Sequence, residues 1–240
     1  MSYEDQWGNW YDCWCEQERE KKMKEKFVEI VVILDRSGSM SDIRSDAIGG
    51  FNEFLRQQKE MGGNAYLTMI QFDDQYECVY NHVPIREARE LTNASFVPRG
   101  MTALNDAIGR TINMVNKKVE EETYHYDSHR SGEHNCCRPR VICAILTDGQ
   151  ENCSKEFTTQ KINDMVSHQR SCHNWEFVFL AANQDAFATS RAYGFNPSFT
   201  WCYAADAVGT RSAFDNMSIS TSCLREEDND DGNKIGKQGV

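Results

Sequence analysis

The sequence predicts an α/β fold in which helices cover both faces of a doubly wound, mostly parallel sheet. Three observations lead to this prediction. Short runs of strand-type apolar residues alternate with longer segments whose apolar residues recur at helical spacing. Strands that alternate with amphipathic helices form βαβ units, and such units build parallel sheets with both faces covered. Two strand-like runs follow each other too closely for a helix to lie between them, so we expect one antiparallel edge strand.

The first half of the predicted domain contains a strand, a helix, a hairpin and a second helix. The run FVEIVVIL, residues 27–34, is apolar almost throughout, as expected of a strand buried on both faces. Residues 41–61 have apolar side chains at helical spacing and predict a helix. The runs AYLTMIQFDD and YECVYNHVPI are separated only by Gln75, which predicts a hairpin. Residues 102–122 repeat the helical pattern.

The second half continues the alternation of strand and helix. The run RVICAILTDGQEN, residues 140–152, begins as another buried strand. The elements that follow it are a helix at 158–170, a strand at 175–183, a helix at 185–194, a strand at 198–203 and a helix at 205–218.

Three segments describe the domain organisation, and the second contains an insertion. An aromatic and charged arm covers residues 1–26, and its dense aromatic side chains are expected to pack on the domain or on a partner. The domain covers residues 27–224 and contains an insertion at 123–139. The polar tail, residues 225–240, is expected to be disordered.

Composition excludes some classes of function. The formal net charge of -11 argues against a general nucleic-acid binder, because the phosphate backbone favours clustered Lys and Arg. No apolar stretch reaches the length of about 18 residues that a membrane span requires. The first residues, MSYEDQWGNWYDCWC, lack a basic segment followed by an apolar one, so no secretory signal is predicted. We therefore expect a cytoplasmic protein with reduced thiols.

Oxygen-bearing side chains are concentrated where strands should end. Asp35, Ser37 and Ser39 follow the first strand, and Asp148 follows the strand that begins at residue 140. Thr102, in the loop VPRGMTAL, precedes the second helix. In parallel sheets, functional groups collect beyond the carboxyl ends of the strands. Two carboxylates and three hydroxyls form a hard oxygen donor set, which suits Mg²⁺, with Mn²⁺ or Ca²⁺ as alternatives.

These segments resemble the three metal-site loops of von Willebrand factor A (vWA) domains. DRSGSM at 35–40 is similar to that family's Asp-x-Ser-x-Ser motif, GMTAL to its second loop and TDGQEN to its third loop. The resemblance extends over roughly residues 27–222 and is to a vWA-domain protein of bacterial or phage type. The chain departs from the family pattern at Met101, where many members have glycine.

The resemblance implies a metal-ion-dependent adhesion site (MIDAS). Ser37, Ser39 and Thr102 would supply hydroxyl ligands, directly or through water. Asp35 and Asp148 would act through coordinated waters and hydrogen bonds. The sixth position would be left for the carboxylate of a partner protein.

Two functions are therefore expected in order of preference. The first is a non-enzymatic, divalent-cation-dependent protein-binding module whose partner bears an exposed Asp or Glu. The second is a structural component of a larger assembly or of a phage or bacterial particle. In that case the arm would dock the protein, the metal would only stiffen the loops, and a phage protein would be particle-associated.

Enzymatic alternatives lack essential residues. A phosphohydrolase of the haloacid dehalogenase type needs a second carboxylate two residues after Asp35, and Ser37 occupies that position. The sequence contains neither a phosphate-binding GxxxxGK[ST] loop nor the GxSxG motif of serine hydrolases. We therefore predict that the protein is not an enzyme.

The insertion contains residues of the types that bind zinc. Their spacing matches no standard zinc finger, so a solvent-facing loop is favoured and a zinc site stays an open alternative. These residues are His125, His129, His134, Cys136 and Cys137.

Overall fold

The sheet of this protein has six strands in the order β3-β2-β1-β4-β5-β6. The computed structural model describes residues 27–127, 139–182 and 186–234. All neighbouring strands are parallel except β2 and β3, so the predicted doubly wound sheet with one antiparallel edge strand is confirmed. The strands are β1 (Val28–Asp35), β2 (Ala65–Phe72), β3 (Tyr76–Pro84), β4 (Arg140–Thr147), β5 (Glu176–Ala182) and β6 (Thr200–Tyr203).

Five α-helices lie in the described part of the chain, and they cover both faces of the sheet. Short 3₁₀ turns occur at Gly38–Ser41, Ile85–Glu87 and Pro197–Phe199. The helices are α1 (Arg44–Glu60), α2 (Leu104–Asp127), α3 (Thr159–His173), α4 (Ala186–Tyr193) and α5 (Ala207–Lys234).

Strand β1 contributes to a hydrophobic core on each face, because successive side chains of a strand point to opposite sides. Ile30 and Val32 belong to the core under α1 and α5, whereas Val31 and Ile33 belong to the core under α2, α3 and α4. All four side chains are fully buried. This two-sided burial explains why the first strand has a nearly continuous apolar sequence.

Two predicted boundaries differ from the structure. Helix α2 continues to Asp127, so the first residues of the predicted insertion are helical. Helix α5 continues to Lys234, so the tail predicted to be disordered from residue 225 is helical over its first part. Arg225 anchors the start of this extension, because its buried guanidinium donates to the backbone oxygens of Gln58 in α1 and of Gly62 just after it.

Several predictions concern residues outside the described ranges. The arm at 1–26, the end of the tail at 235–240 and four of the five candidate zinc ligands lie there, and the fifth, His125, belongs to the last turns of α2. None of the six cysteines within the described ranges forms a disulfide bond. No helix in this part of the chain is long and apolar enough to span a bilayer.

Candidate functional site

Three loops meet at the carboxyl edge of the sheet, above β1 and β4. These two strands are parallel neighbours in which Leu34 pairs with Leu146. Asp35 and Thr147 are therefore level with each other, and Asp148 is the first residue beyond β4. The loop before α2 joins them, because Gly38 N–H donates to the carbonyl of Gly100 over 3.2 Å.

Asp35 is a fully buried carboxylate that is held by neutral donors. The backbone N–H of Ser37 donates to Oδ1 at 2.7 Å, and the Thr147 hydroxyl donates to Oδ2 at 2.6 Å. Burial raises the pKa of Asp35 to about 6, although both hydrogen bonds act to lower it. The nearby charge of Asp148 raises this pKa slightly further. The site therefore contains an acid whose ionised form lacks a charged partner among these contacts.

Ser37, Ser39 and Asp148 form a chain of side-chain oxygens. The two serine hydroxyl oxygens are 3.0 Å apart, and Ser39 Oγ donates to Asp148 Oδ1 at 2.7 Å. The 3₁₀ turn holds both serines, since Met40 N–H donates to the Ser37 carbonyl and the Met40 side chain is fully buried. Burial raises the pKa of Asp148, which lies half-buried at the end of this chain.

Thr102 reaches the same place from the second loop. Its side chain is buried, and a β-carbon added at Gly149 would lie 2.7 Å from the Thr102 hydroxyl oxygen. Asn152 binds the backbone of Thr102 by two hydrogen bonds. Its side-chain Oδ1 accepts from Thr102 N–H at 2.9 Å, and its backbone N–H donates to the Thr102 carbonyl at 3.1 Å. The structure therefore brings all five sequence-predicted residues to one edge, Thr102 by backbone contacts and the other four by linked hydrogen bonds.

Three further residues, which were not predicted from the sequence, help to build this site. Thr147 connects Asp35 to the third loop, and Asn152 connects that loop to Thr102. Tyr203, the last residue of β6, donates its hydroxyl to the Thr147 carbonyl at 3.2 Å. Burial raises the pKa of Tyr203 far above its ordinary value, and the charges of Asp148 and Asp35 add to this effect. Thr147 and Asn152 are the first and last residues of the TDGQEN segment that resembles the third loop, but nothing in the local sequence indicates Tyr203.

The donor set fits a hard divalent cation. Neighbouring ligands in an octahedral Mg²⁺ shell lie about 3 Å apart when each is about 2.1 Å from the ion. The Ser37 and Ser39 oxygens have this separation, at 3.0 Å. Over the described ranges, no group of three or more His, Cys, Asp or Glu residues could hold a metal. A cation at this edge would therefore depend on the hydroxyl oxygens.

Comparison of the sequence with known proteins gives short matches. No protein-family model matches the chain. The chain is 30% identical over 143 residues to inter-alpha-trypsin inhibitor heavy chain H3 from Pongo abelii and from Homo sapiens. The match covers 57% of this chain, but 15% of the Pongo abelii protein and 14% of the human protein. The chain thus spans a small part of these relatives.

Comparison of the structure with solved structures gives the fold. Proximal thread matrix protein 1 from the mussel byssus, with a zinc-occupied MIDAS motif, has a TM-score of 0.51 at 10% identity, covering 82% of this chain and 46% of that chain. A von Willebrand factor type A protein from Catenulispora acidiphila has a TM-score of 0.50 at 13% identity, covering 81% and 42%. This chain has the von Willebrand factor A fold.

Proposed function

We propose that this protein is a divalent-cation-dependent protein-binding module with a MIDAS-type site. Ser37, Ser39 and Thr102 would hold the ion, and Asp35 and Asp148 would orient its waters and balance its charge. The observation that carries the proposal is the buried Asp35 carboxylate, whose hydrogen-bond donors within the described residues are Ser37 and Thr147, both neutral. Mg²⁺ is the preferred ion, since it favours oxygen ligands and keeps several waters.

Electrostatics supports a cation at this edge. A buried carboxylate without an opposite charge is costly, and proteins normally pair such a group or let it coordinate a metal. The raised pKa of Asp35 expresses this cost, because burial disfavours its ionised form. A divalent ion beside Ser37 and Ser39 would favour ionisation of both Asp35 and Asp148.

The comparisons agree with this proposal at a coarser level. Mussel proximal thread matrix protein 1 has the same fold and carries zinc in its MIDAS motif, which makes a divalent ion reasonable here. The similarity to a heavy chain of inter-alpha-trypsin inhibitor favours a role in protein interactions. Sequence identity to the mussel protein is 10%, so the preference for Mg²⁺ over other ions is argued from the oxygen ligands of this chain alone.

The expected partner carries an exposed Asp or Glu. Neutral hydroxyls as direct ligands leave the ion with residual positive charge, and a carboxylate offsets that charge better than water does. Met101 lies beside Thr102 with 55% of its surface exposed, so it offers an apolar contact next to the proposed ion. Binding, not catalysis, is the proposed role of this edge.

Metal titration tests the first half of the proposal. Calorimetry and thermal unfolding with Mg²⁺ and Mn²⁺ should show saturable binding, and a ligand at 100 times its Kd stabilises the folded state by about 2.7 kcal/mol. Ser39→Ala should weaken binding. Ser95→Ala is the matched control, because among the described residues the Ser95 hydroxyl bonds only to Thr92 of the same exposed turn. Stability that does not respond to either metal in the wild type would contradict the proposal.

Partner capture tests the second half. Once a partner is identified, its affinity should fall about thirty-fold or more in EDTA and for Thr102→Ala, because one member of a desolvated charged contact typically contributes 2 kcal/mol or more. Equal affinity in Mg²⁺, in EDTA and for Thr102→Ala would leave the metal a structural role and assign the binding to other surfaces.

A further inference from the structure

The third loop is joined to the start of α2 by hydrogen bonds that run in both directions. Glu151 Oε2 accepts from Asn105 N–H at 2.7 Å, and Ser154 Oγ accepts from Asp106 N–H at 3.0 Å. The Asp106 carboxylate in turn accepts from three consecutive backbone N–H groups, those of residues 155–157, at 2.9 to 3.0 Å. The first N–H groups of a helix lack partners within it, and here the third loop satisfies them.

Asn152 joins this loop to Thr102, one of the proposed ligands of the ion. Its side-chain Oδ1 accepts from Thr102 N–H, and its backbone N–H donates to the Thr102 carbonyl. The peptide group after Thr102 is also held by the Asp73 carbonyl, which accepts from Ala103 N–H at 3.0 Å. The peptide group before Thr102 has the Asn152 side chain as its acceptor.

We propose that Asn152 is a positioning residue of the metal site, which sets the direction of the Thr102 hydroxyl. This inference rests on the proposed function. Threonine is β-branched and stiff at χ1, so a fixed backbone leaves its hydroxyl few directions. The Thr102 hydroxyl lies against Gly149, where an added β-carbon would be 2.7 Å away. Asn152 and Gly149 therefore hold Thr102 from the loop that carries Asp148.

Asn52 provides a matched control for this proposal. Its side-chain Oδ1, like that of Asn152, accepts from the backbone N–H of a residue distant in sequence, here Leu91 at 2.7 Å. Its side-chain Nδ2 also donates to the Leu91 carbonyl at 3.0 Å, whereas Asn152 makes the corresponding contact with its backbone N–H. Asn52 lies on α1, and its partner is not one of the site residues. Asn52→Ala thus removes side-chain hydrogen bonds to a distant backbone segment and leaves the contacts of Thr102 unchanged.

The experiment measures Mn²⁺ binding by calorimetry and the water-proton relaxation of the bound ion. Asn152→Ala should weaken Mn²⁺ binding about 10–100-fold, the usual effect of removing a group that orients a ligand. The relaxation per bound ion should rise, since a water replaces the Thr102 hydroxyl. Asn152→Asp keeps the acceptor oxygen and should retain wild-type relaxation. Asn152→Leu is similar in size to the wild type but has no side-chain oxygen, so it should show the same loss of affinity and the same rise in relaxation. It replaces Asn152→Ala in the experiment if that variant folds poorly.

The outcomes separate this inference from the proposed function. No Mn²⁺ binding by the wild type overturns both. Wild-type binding with unchanged affinity and relaxation in both Asn152→Ala and Asn152→Leu overturns the positioning role alone. An equal loss of affinity in Asn52→Ala also overturns it, because the effect would then reflect general destabilisation.

Discussion

Two buried aspartates at the same edge of the sheet have different surroundings. Asp35 is the last residue of β1 and pairs with Phe72, the last residue of β2. Asp73 is the next residue after Phe72. Both side chains are fully buried. Asp73 Oδ2 accepts from Arg36 Nε at 3.0 Å and from Arg99 Nε at 2.8 Å, whereas Asp35 accepts from a backbone amide and a hydroxyl. Two arginines balance the charge of Asp73, whereas the hydrogen bonds that Asp35 receives come from neutral groups.

The difference begins with two consecutive residues. Asp35 and Arg36 are neighbours in sequence, and neighbouring side chains of an extended chain point to opposite sides. Asp35 is directed to Thr147 of β4, and Arg36 is directed to Asp73 after β2. Arg36 is therefore directed away from Asp35, although the two residues are adjacent in sequence. Sequence proximity is thus a poor guide to ion pairing in such a loop.

Asp73→Asn should produce the largest loss of stability. It removes the buried carboxylate that pairs with Arg36, which keeps its second pair with the exposed Glu77, and breaking a buried ion pair typically costs about 3–5 kcal/mol. Urea unfolding should show the same loss in Mg²⁺ and in EDTA, because this pair is separate from the proposed ion. A loss that appears only in Mg²⁺ would mean that the two aspartates are not independent.

Asp35→Asn should produce an effect whose sign depends on the metal. In EDTA the variant should be at least as stable as the wild type, because a buried charge is removed and the Thr147 hydroxyl can turn to accept from the new amide. At Mg²⁺ of 100 times the wild-type Kd, only the wild type should gain about 2.7 kcal/mol. Paired unfolding curves check this reversal, and a variant that is less stable under both conditions would contradict it.

Asp106→Asn should produce the smallest effect, about 1–3 kcal/mol, from weaker hydrogen bonds to the third loop. Burial acts to raise the pKa of Asp106, but the backbone N–H groups of Lys155, Glu156 and Phe157 lower it below its ordinary value. Its ionised form therefore stabilises the fold above the unfolded-state pKa of about 3.9, and this contribution declines below that value and is lost as the pH falls through the lower pKa of the folded state. The difference between wild type and variant should be full at pH 7 and much smaller at pH 3. A difference that is independent of pH would assign the loss to packing.

Much of the fold could be predicted from local patterns. Apolar runs identified the strands because parallel strands are buried on both faces, and the short spacing around Gln75 identified the hairpin. The ends of α2 and α5 could not be predicted. Polar residues at 123–127 and beyond 225 have no apolar stripe, and Arg225 is held in a helix by contacts with Gln58 and Gly62, which are distant in sequence.

The site divides in the same way between sequence and tertiary structure. Asp35, Ser37 and Ser39 are close in sequence, so a single turn after a strand is enough to bring their oxygens together. Thr102 and Asp148 join them because β1 and β4 are neighbours, which a βαβ pattern and the family resemblance anticipate. The roles of Asn152, Asp73 and Tyr203 depend on which loops meet and which buried groups still need partners. A buried polar group takes its partner from whatever the fold brings near, and only the assembled sheet decides that choice.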